Sequence, residues 1–357
     1  MKTSSFLRAS GASKVGSRKA FSLIELMVAM GILTILMLML TLLLDQVQKS
    51  WRFSESRVSQ FREARVAFDA MAKNLSQASL NTYWELRDDD DPPDGIPDGY
   101  YRTSELQFLT MDADSLGSVG DQTLVGQSVF FQAPLGFSLE YRNLNNLFNG
   151  RGYFVAFGSD KEFRPKFVDN RERYRFRLME FRPPAESNQV FADGQQELAK
   201  GQRQELTEWF KQGVAGVGEG SFEDHLNPLA ENIIAIVLTP RDSLEEGSAS
   251  RESTYSEIAP NFSYDTNDDA VDREKFSQQL PPLVRITMVA IDETAAVRLE
   301  DGASMPEKLR SVVENRFRST EKYNDDVKEV TEALSNENIS HKIFSSLVML
   351  RASKWST

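Results

Sequence analysis

Two hydrophobic patterns follow one another at the start of the chain. From Phe21 to Leu44 (FSLIELMVAMGILTILMLMLTLLL) nearly every residue is apolar, on all sides of any helix the stretch could form. A helix needs about 20 mostly apolar residues to cross a bilayer, and this run supplies them. Beyond it, large apolar side chains recur at Val47, Trp51, Val58, Phe61, Phe68 and Leu75, spacings that fit one helix face. Ser54, Arg65 and Ala72 occupy the weak steps of that repeat. No Pro lies between Phe21 and Asp91, and Gly31 is the only Gly there. The two patterns predict one helix from about Phe21 to about Ser79, on the order of 90 Å long at 1.5 Å per residue. Its first half belongs in a membrane, and its second half lays a stripe on a globular domain.

The pattern then changes. Arg87 to Gly99 (RDDDDPPDGIPDG) holds Pro and Gly at a density that forbids regular structure. Strand-like runs follow at 106–109, 129–132 and 153–157, bounded by Gly, Asn or Pro. In 173–178 (RYRFRL) the alternation is cleanest. Tyr174, Phe176 and Leu178 point one way, and Arg173, Arg175 and Arg177 the other, which predicts a half-buried antiparallel strand with a solvated Arg row. The more continuously apolar runs 233–238 and 283–291 read as central strands, and 343–350 as a closing strand. Helices are expected at 195–211 and, with Pro306 in its first turn, at 306–318. The polar stretch from Arg241 to Gln279 reads as a long loop. Together these elements predict an α+β fold: a long N-terminal helix on an antiparallel β-sheet head.

Composition narrows the chemistry. The net charge is −12 over 357 residues, which argues against a nucleic-acid partner, since that needs a basic face. There is no Cys, so there are no disulfides and no thiol chemistry. With His225 and His341 the only histidines, a His/Cys zinc site is nearly excluded and a histidine-based triad has few candidates. No Gly-rich phosphate loop or Gly-x-Ser-x-Gly elbow is present. The acidic loop either stays solvated or wraps a hard cation such as calcium, with Asp89, Asp91, Asp94 and Asp98 as candidate ligands. Pro92 falls where an EF-hand needs an oxygen ligand. A second stretch, Asp265-Thr-Asn267-Asp-Asp269, matches the first half of a calcium loop, but Ala270 replaces the turn Gly and Phe276 the bidentate Glu.

The one charge inside the apolar run is Glu25. A carboxylate there costs roughly 2.5–3.5 kcal/mol even on insertion scales, so it needs a partner. No basic residue lies between Phe21 and Leu44 to provide one. Before the run, Met1 to Ala20 carries Lys2, Arg8, Lys14, Arg18 and Lys19 and no acid. A secretory signal is cut after its apolar region. Here the small residue Ala20 stands before it, and no small-x-small site follows Leu44. Cleavage between Ala20 and Phe21 would remove the leader, retain the helix, and create an amine four residues from Glu25.

That arrangement, Lys19-Ala20-Phe21-Ser22-Leu23-Ile24-Glu25, resembles the class III signal of type IV pilins and type II secretion pseudopilins. The resemblance implies that a prepilin peptidase cuts between Ala20 and Phe21 and that Phe21 becomes an N-methylated terminus. It also implies that Glu25 pairs with the terminal amine of a neighbouring subunit during assembly. Ala20 stands where the family usually has Gly, and Leu42 where many pilins have Pro. The organisation implied is a leader at 1–20, a membrane-spanning helix half at 21–44, an amphipathic half at 45–80 and a head at 81–357. Without the leader the chain has 337 residues and a net charge of −17. That is large for a major pilin and fits a minor subunit. Residues 62–77 resemble the post-membrane helix of J-type minor pseudopilins and W-type minor pilins, and 78–84 a pilin-like cassette group (cassette protein C) of Verrucomicrobia-type bacteria.

The resemblance implies a non-catalytic filament subunit anchored by a single pass in the inner membrane, its head in the periplasm or on an extracellular filament. Its partners would be other pilin subunits, the peptidase and the assembly platform. The rivals are an anchored adhesin-like protein binding a ligand or calcium, and an anchored enzyme. The acidic clusters are the support for both.

Overall fold

A computed structural model describes residues 22–354 apart from 89–93, 118, 142, 162, 165–166, 168–171, 189–208, 212–213, 215–224, 243–255, 269–275 and 315. The chain forms two compact units, Met1–Ser56 and Arg57–Thr357, and the division falls inside the first helix, α1 (Leu23–Leu75). The 53 residues of α1 join the two predicted patterns in one element. It stops at Leu75, one turn short of Ser79, where Ala78 N–H closes on Leu75 O and Ser79 N–H bonds Gln132 O.

In the second unit, strands β1 (Tyr83–Arg87) and β2 (Gly99–Thr103) form a two-stranded antiparallel ribbon. Six more strands build the main sheet: β3 (Leu109–Asp112), β4 (Thr123–Pro134), β5 (Phe148–Ser159), β6 (Tyr174–Phe181), β7 (Leu226–Glu231) and the two-residue β9 (Tyr264–Asp265). Their spatial order is β7-β6-β5-β4-β3-β9, antiparallel throughout. A second sheet holds β8 (Ile233–Arg241), β10 (Leu283–Ile291) and β11 (His341–Met349) in the order β11-β10-β8. One residue carries the chain from β7 in the first sheet to β8 in the second. Asn232 has φ 61°, a left-handed conformation that Asn tolerates better than most residues. Its N–H donates to Phe176 O and its carbonyl accepts from Ile291 N, so this corner is bonded to both sheets.

The main sheet is covered on both faces. Val129, Phe131, Tyr153, Val155, Phe176 and Leu178 enter a core shared with the three-stranded sheet. The alternate residues Phe130, Phe154, Ala156, Met179 and Phe181 enter a second core with Trp209, Phe210 and Val214. On that second face a Cβ at Gly152 would collide with the Phe130 ring, and one at Gly150 with Trp209, so glycine makes room for the rings. Short helices α2 (Glu293–Leu299), α3 (Glu307–Val313) and α4 (Tyr323–Asn336) add Ala295, Leu309, Val312, Val330 and Leu334 to the first core.

Only the last turns of α1, from Phe61 to Leu75, pack as the pattern predicts: Phe68 and Leu75 of the expected stripe are buried, whereas Val47 and Trp51 are 59% and 71% exposed. Ala64, Ala67, Phe68, Met71 and Leu75 are buried, and Phe68 stacks on Phe344 of β11 at 5.8 Å. Small residues do much of this packing, letting the helix come close to the sheet. Asn74 Nδ2 donates to Tyr153 Oη (2.8 Å), which donates to Glu180 Oε1 (3.0 Å), and Glu180 is ion-paired with Arg151 (3.1 Å). The Tyr153 phenol pKa is raised by burial and then by the Glu180 charge beside it.

Several expectations are corrected. Of the predicted Arg row, Arg173 just before β6 is exposed as expected, but Arg175 and Arg177 are 3% and 1% exposed. With both faces of the sheet covered these two guanidiniums are paired internally, Arg175 with Glu300 (2.8 Å) and Glu293 (3.6 Å), and Arg177 with Glu231 (3.5 Å) and Gly158 O. The run 106–109 becomes a strand only from Leu109, after a bend. The helix expected at 306–318 stops at Val313, and Phe317 has φ 57° with its N–H on Asp326 Oδ2. The supposed loop 241–279 contains β9 and buries Ile258, Phe262 and Tyr264. Most of the expected helix at 195–211 lies outside the described residues.

Candidate functional site

Two regions carry the predicted site residues. The first is the start of α1. Ser22 Oγ accepts from Glu25 N (3.3 Å), and Ser22 N donates to Glu25 Oε2 (3.1 Å). This is a reciprocal capping box: two of the N–H groups left over at a helix start are satisfied by side chains three residues apart. The sequence reading missed Ser22, although the Ser-x-x-Glu spacing was there to find it. Glu25 therefore has a local hold in the single chain and remains exposed at the helix end. Ala20 and Phe21 lie outside the described residues.

The rest of this segment has little polar chemistry. Thr34 and Thr41 turn their hydroxyls onto the carbonyls of Met30 and Met37, each at 2.8 Å, which suits a helix without water around it. Every described side chain from Ser22 to Lys49 is exposed. Leu23–Lys49 has a mean hydropathy of 2.6 in its most apolar window, enough by length and composition to cross a membrane. A Cβ at Gly31 would meet nothing within 4 Å, so nothing among the described residues accounts for the glycine.

Residues 16–41 match the family model described as the prokaryotic N-terminal methylation motif. The chain carries a type IV pilin-like class III signal. The match spans the basic end of the leader, the Ala20–Phe21 junction, Glu25 and most of the apolar run. No curated protein matches the chain significantly, and no solved structure does. Among the described residues one helix, at the N-terminal end, is apolar and long enough to be compatible with a single-pass membrane anchor, as in prepilins.

The second region is the acidic loop between β1 and β2. Asp94 Oδ1 accepts from Ile96 N (2.7 Å), and Asp88 Oδ2 from Gly95 N (2.5 Å), so both carboxylates shape the turn. Asp98 is exposed beside them, while Asp89 and Asp91 lie outside the described residues. The other candidate loop is used differently again. Asp265 Oδ1 accepts from Gln107 Nε2 and from Asn267 N, both at 2.9 Å, tying the loop to the sheet, and Asp269 lies outside the described residues. Among the described residues, no group of three His, Cys, Asp or Glu side chains is arranged to share a metal ion.

A cleft of about 680 Å³ opens between the β4 bulge, β8 and α3. Its three arginines are ion-paired: Arg318 with Asp112 (2.9 Å), Arg310 with Glu314 (3.0 Å) and Arg316 with Glu329 (3.4 Å). Its lining holds neither His nor Cys.

Proposed function

We propose that the protein is a minor pilin or pseudopilin, a non-catalytic structural subunit of a type IV pilus-like or type II secretion filament. A prepilin peptidase would cut between Ala20 and Phe21, and the methylated Phe21 would begin the mature helix. The observation that carries this reading is the methylation-motif match at 16–41, together with the exposure of every described side chain from Ser22 to Lys49. Such a surface needs lipid or neighbouring helices around it. The bare Gly31 position supports close approach by another helix. In the membrane the head stays on the periplasmic side until an assembly platform extracts the subunit. The 337-residue mature length favours a minor subunit, of the J or W type that residues 62–77 resemble.

In this account Glu25 exchanges its resting hold on Ser22 for the terminal amine of a neighbour. An unpaired charge in an apolar bundle is costly, so the pair also sets axial register. The expected outcome for Glu25→Ala is normal insertion and cleavage with at least a tenfold loss of incorporation into filaments, read by immunoblot of sheared filaments against membranes. Normal incorporation would contradict the role given to Glu25.

A further inference from the structure

The β1–β2 ribbon is the part of the head least explained by folding. Each strand pairs only with the other, outside both larger sheets. A two-stranded ribbon is marginal in water on its own. This one is held at its base: Tyr83 Oη donates to Glu105 Oε1 (2.7 Å), Asn81 Oδ1 accepts from Ser104 Oγ (2.8 Å), and Thr82 Oγ1 donates to Gln278 O (2.9 Å). Register sets Trp84 opposite Arg102 and Leu86 opposite Tyr100, so Trp84, Leu86 and Tyr100 share one face. They are 66%, 54% and 71% exposed, and Ile96 at the turn is 68% exposed. The Arg102 guanidinium lies 5.8 Å from the Trp84 ring centre and covers part of it. An aromatic and aliphatic stripe of this kind, with a polar rim, has the composition of an interface core rather than of ordinary surface.

Charge selects the occupant. Asp88, Asp94 and Asp98 lie on the turn at the end of the stripe and outnumber Arg102, the one base on its face, while Glu85 faces the other side of the ribbon and Glu105 holds Tyr83 at the base. A second copy would bring the same acids to the contact, and the whole chain carries −12, so self-association is opposed. An anionic lipid surface is repelled for the same reason. A cationic protein surface is attracted. We propose that the ribbon docks on a partner protein presenting an apolar strip rimmed by Lys or Arg, with Trp84, Leu86 and Tyr100 filling the strip and the acids of the turn pairing with its rim. This holds whether or not the chain enters a filament.

The test places p-benzoylphenylalanine at position 100 of the full chain, in membranes of cells that make the protein, and maps the light-induced adduct by mass spectrometry. The same probe at Val297, exposed on α2 away from the ribbon, is the control. The expected adduct lies on a different polypeptide, in a segment flanked by Lys or Arg. Trp84→Ser with Leu86→Ser lowers its yield at least tenfold. Asp94→Asn with Asp98→Asn, which keeps the stripe, lowers it at least threefold at low salt, and the difference vanishes at high salt. An adduct on a second copy, on lipid or on an acidic segment would overturn the proposal. So would a yield no higher than at Val297, or one unchanged by the Asp substitutions.

Discussion

From Ser22 to Lys49 every described side chain of α1 is exposed, whereas from Phe61 to Leu75 the same helix hides Ala64, Ala67, Phe68, Met71 and Leu75 against the sheets. Both segments are rich in apolar residues, and the difference lies in their arrangement. The second is a stripe with Arg62, Arg65, Asp69 and Lys73 on its outer side, the pattern of a helix bordering water. The first has no polar outer side, a pattern compatible with a membrane anchor. One helix thus presents two patterns, one packed on its own head and one left uncovered among the described residues.

Paired truncations break this comparison most sharply. Met71→Ala removes a fully buried side chain and should lower head stability by about 3 kcal/mol. Leu36→Ala makes a comparable change in the first segment and should move the same melt, followed by head fluorescence in detergent, by no more than about 0.5 kcal/mol. Equal shifts would mean that the first segment also contributes to the head. Next in size is the polar tether. Tyr153→Phe leaves Asn74 and Glu180 each short of a partner and should cost about 1 kcal/mol, with Leu36→Ala again as reference.

The same phenol gives a pH signature. Its pKa is raised in the folded head, while an unfolded tyrosine ionises near about 10. Above that pH the unfolded chain releases a proton that the folded head retains. The stabilisation is therefore complete below pH 10 and lost as pH rises beyond it. In wild type, head stability should fall from about pH 10 upward, and in Tyr153→Phe this part of the slope should be absent. Parallel slopes in the two proteins would detach the phenol from the hold on α1.

How much of this was legible in the sequence follows from what each element depends on. The membrane run, the signal and the strands at 129–132, 153–157, 233–238 and 283–291 are local patterns, and they were readable. The β6 Arg row was misread because alternation shows two faces without showing that both are covered; the acids that receive Arg175 and Arg177 lie more than fifty residues away in sequence. The ribbon was hidden because Tyr83 and Trp84 fall just past the end expected for the first helix and the Pro- and Gly-rich run after them forbids regular structure by its composition. Helix α4 had a usable signal, Tyr323, Val327, Val330 and Leu334 at helical spacing, that was passed over within a polar stretch. At the site, Glu25 stood out as a charge in an apolar run, and its partner Ser22 did not.

The most direct test of the account is the N-terminal mass of the protein from membranes of cells with and without a prepilin peptidase. A chain beginning at N-methylated Phe21, seen only when the peptidase is present, is the result the filament reading predicts. An intact Met1 terminus in both would contradict it and leave α1 as a plain membrane anchor.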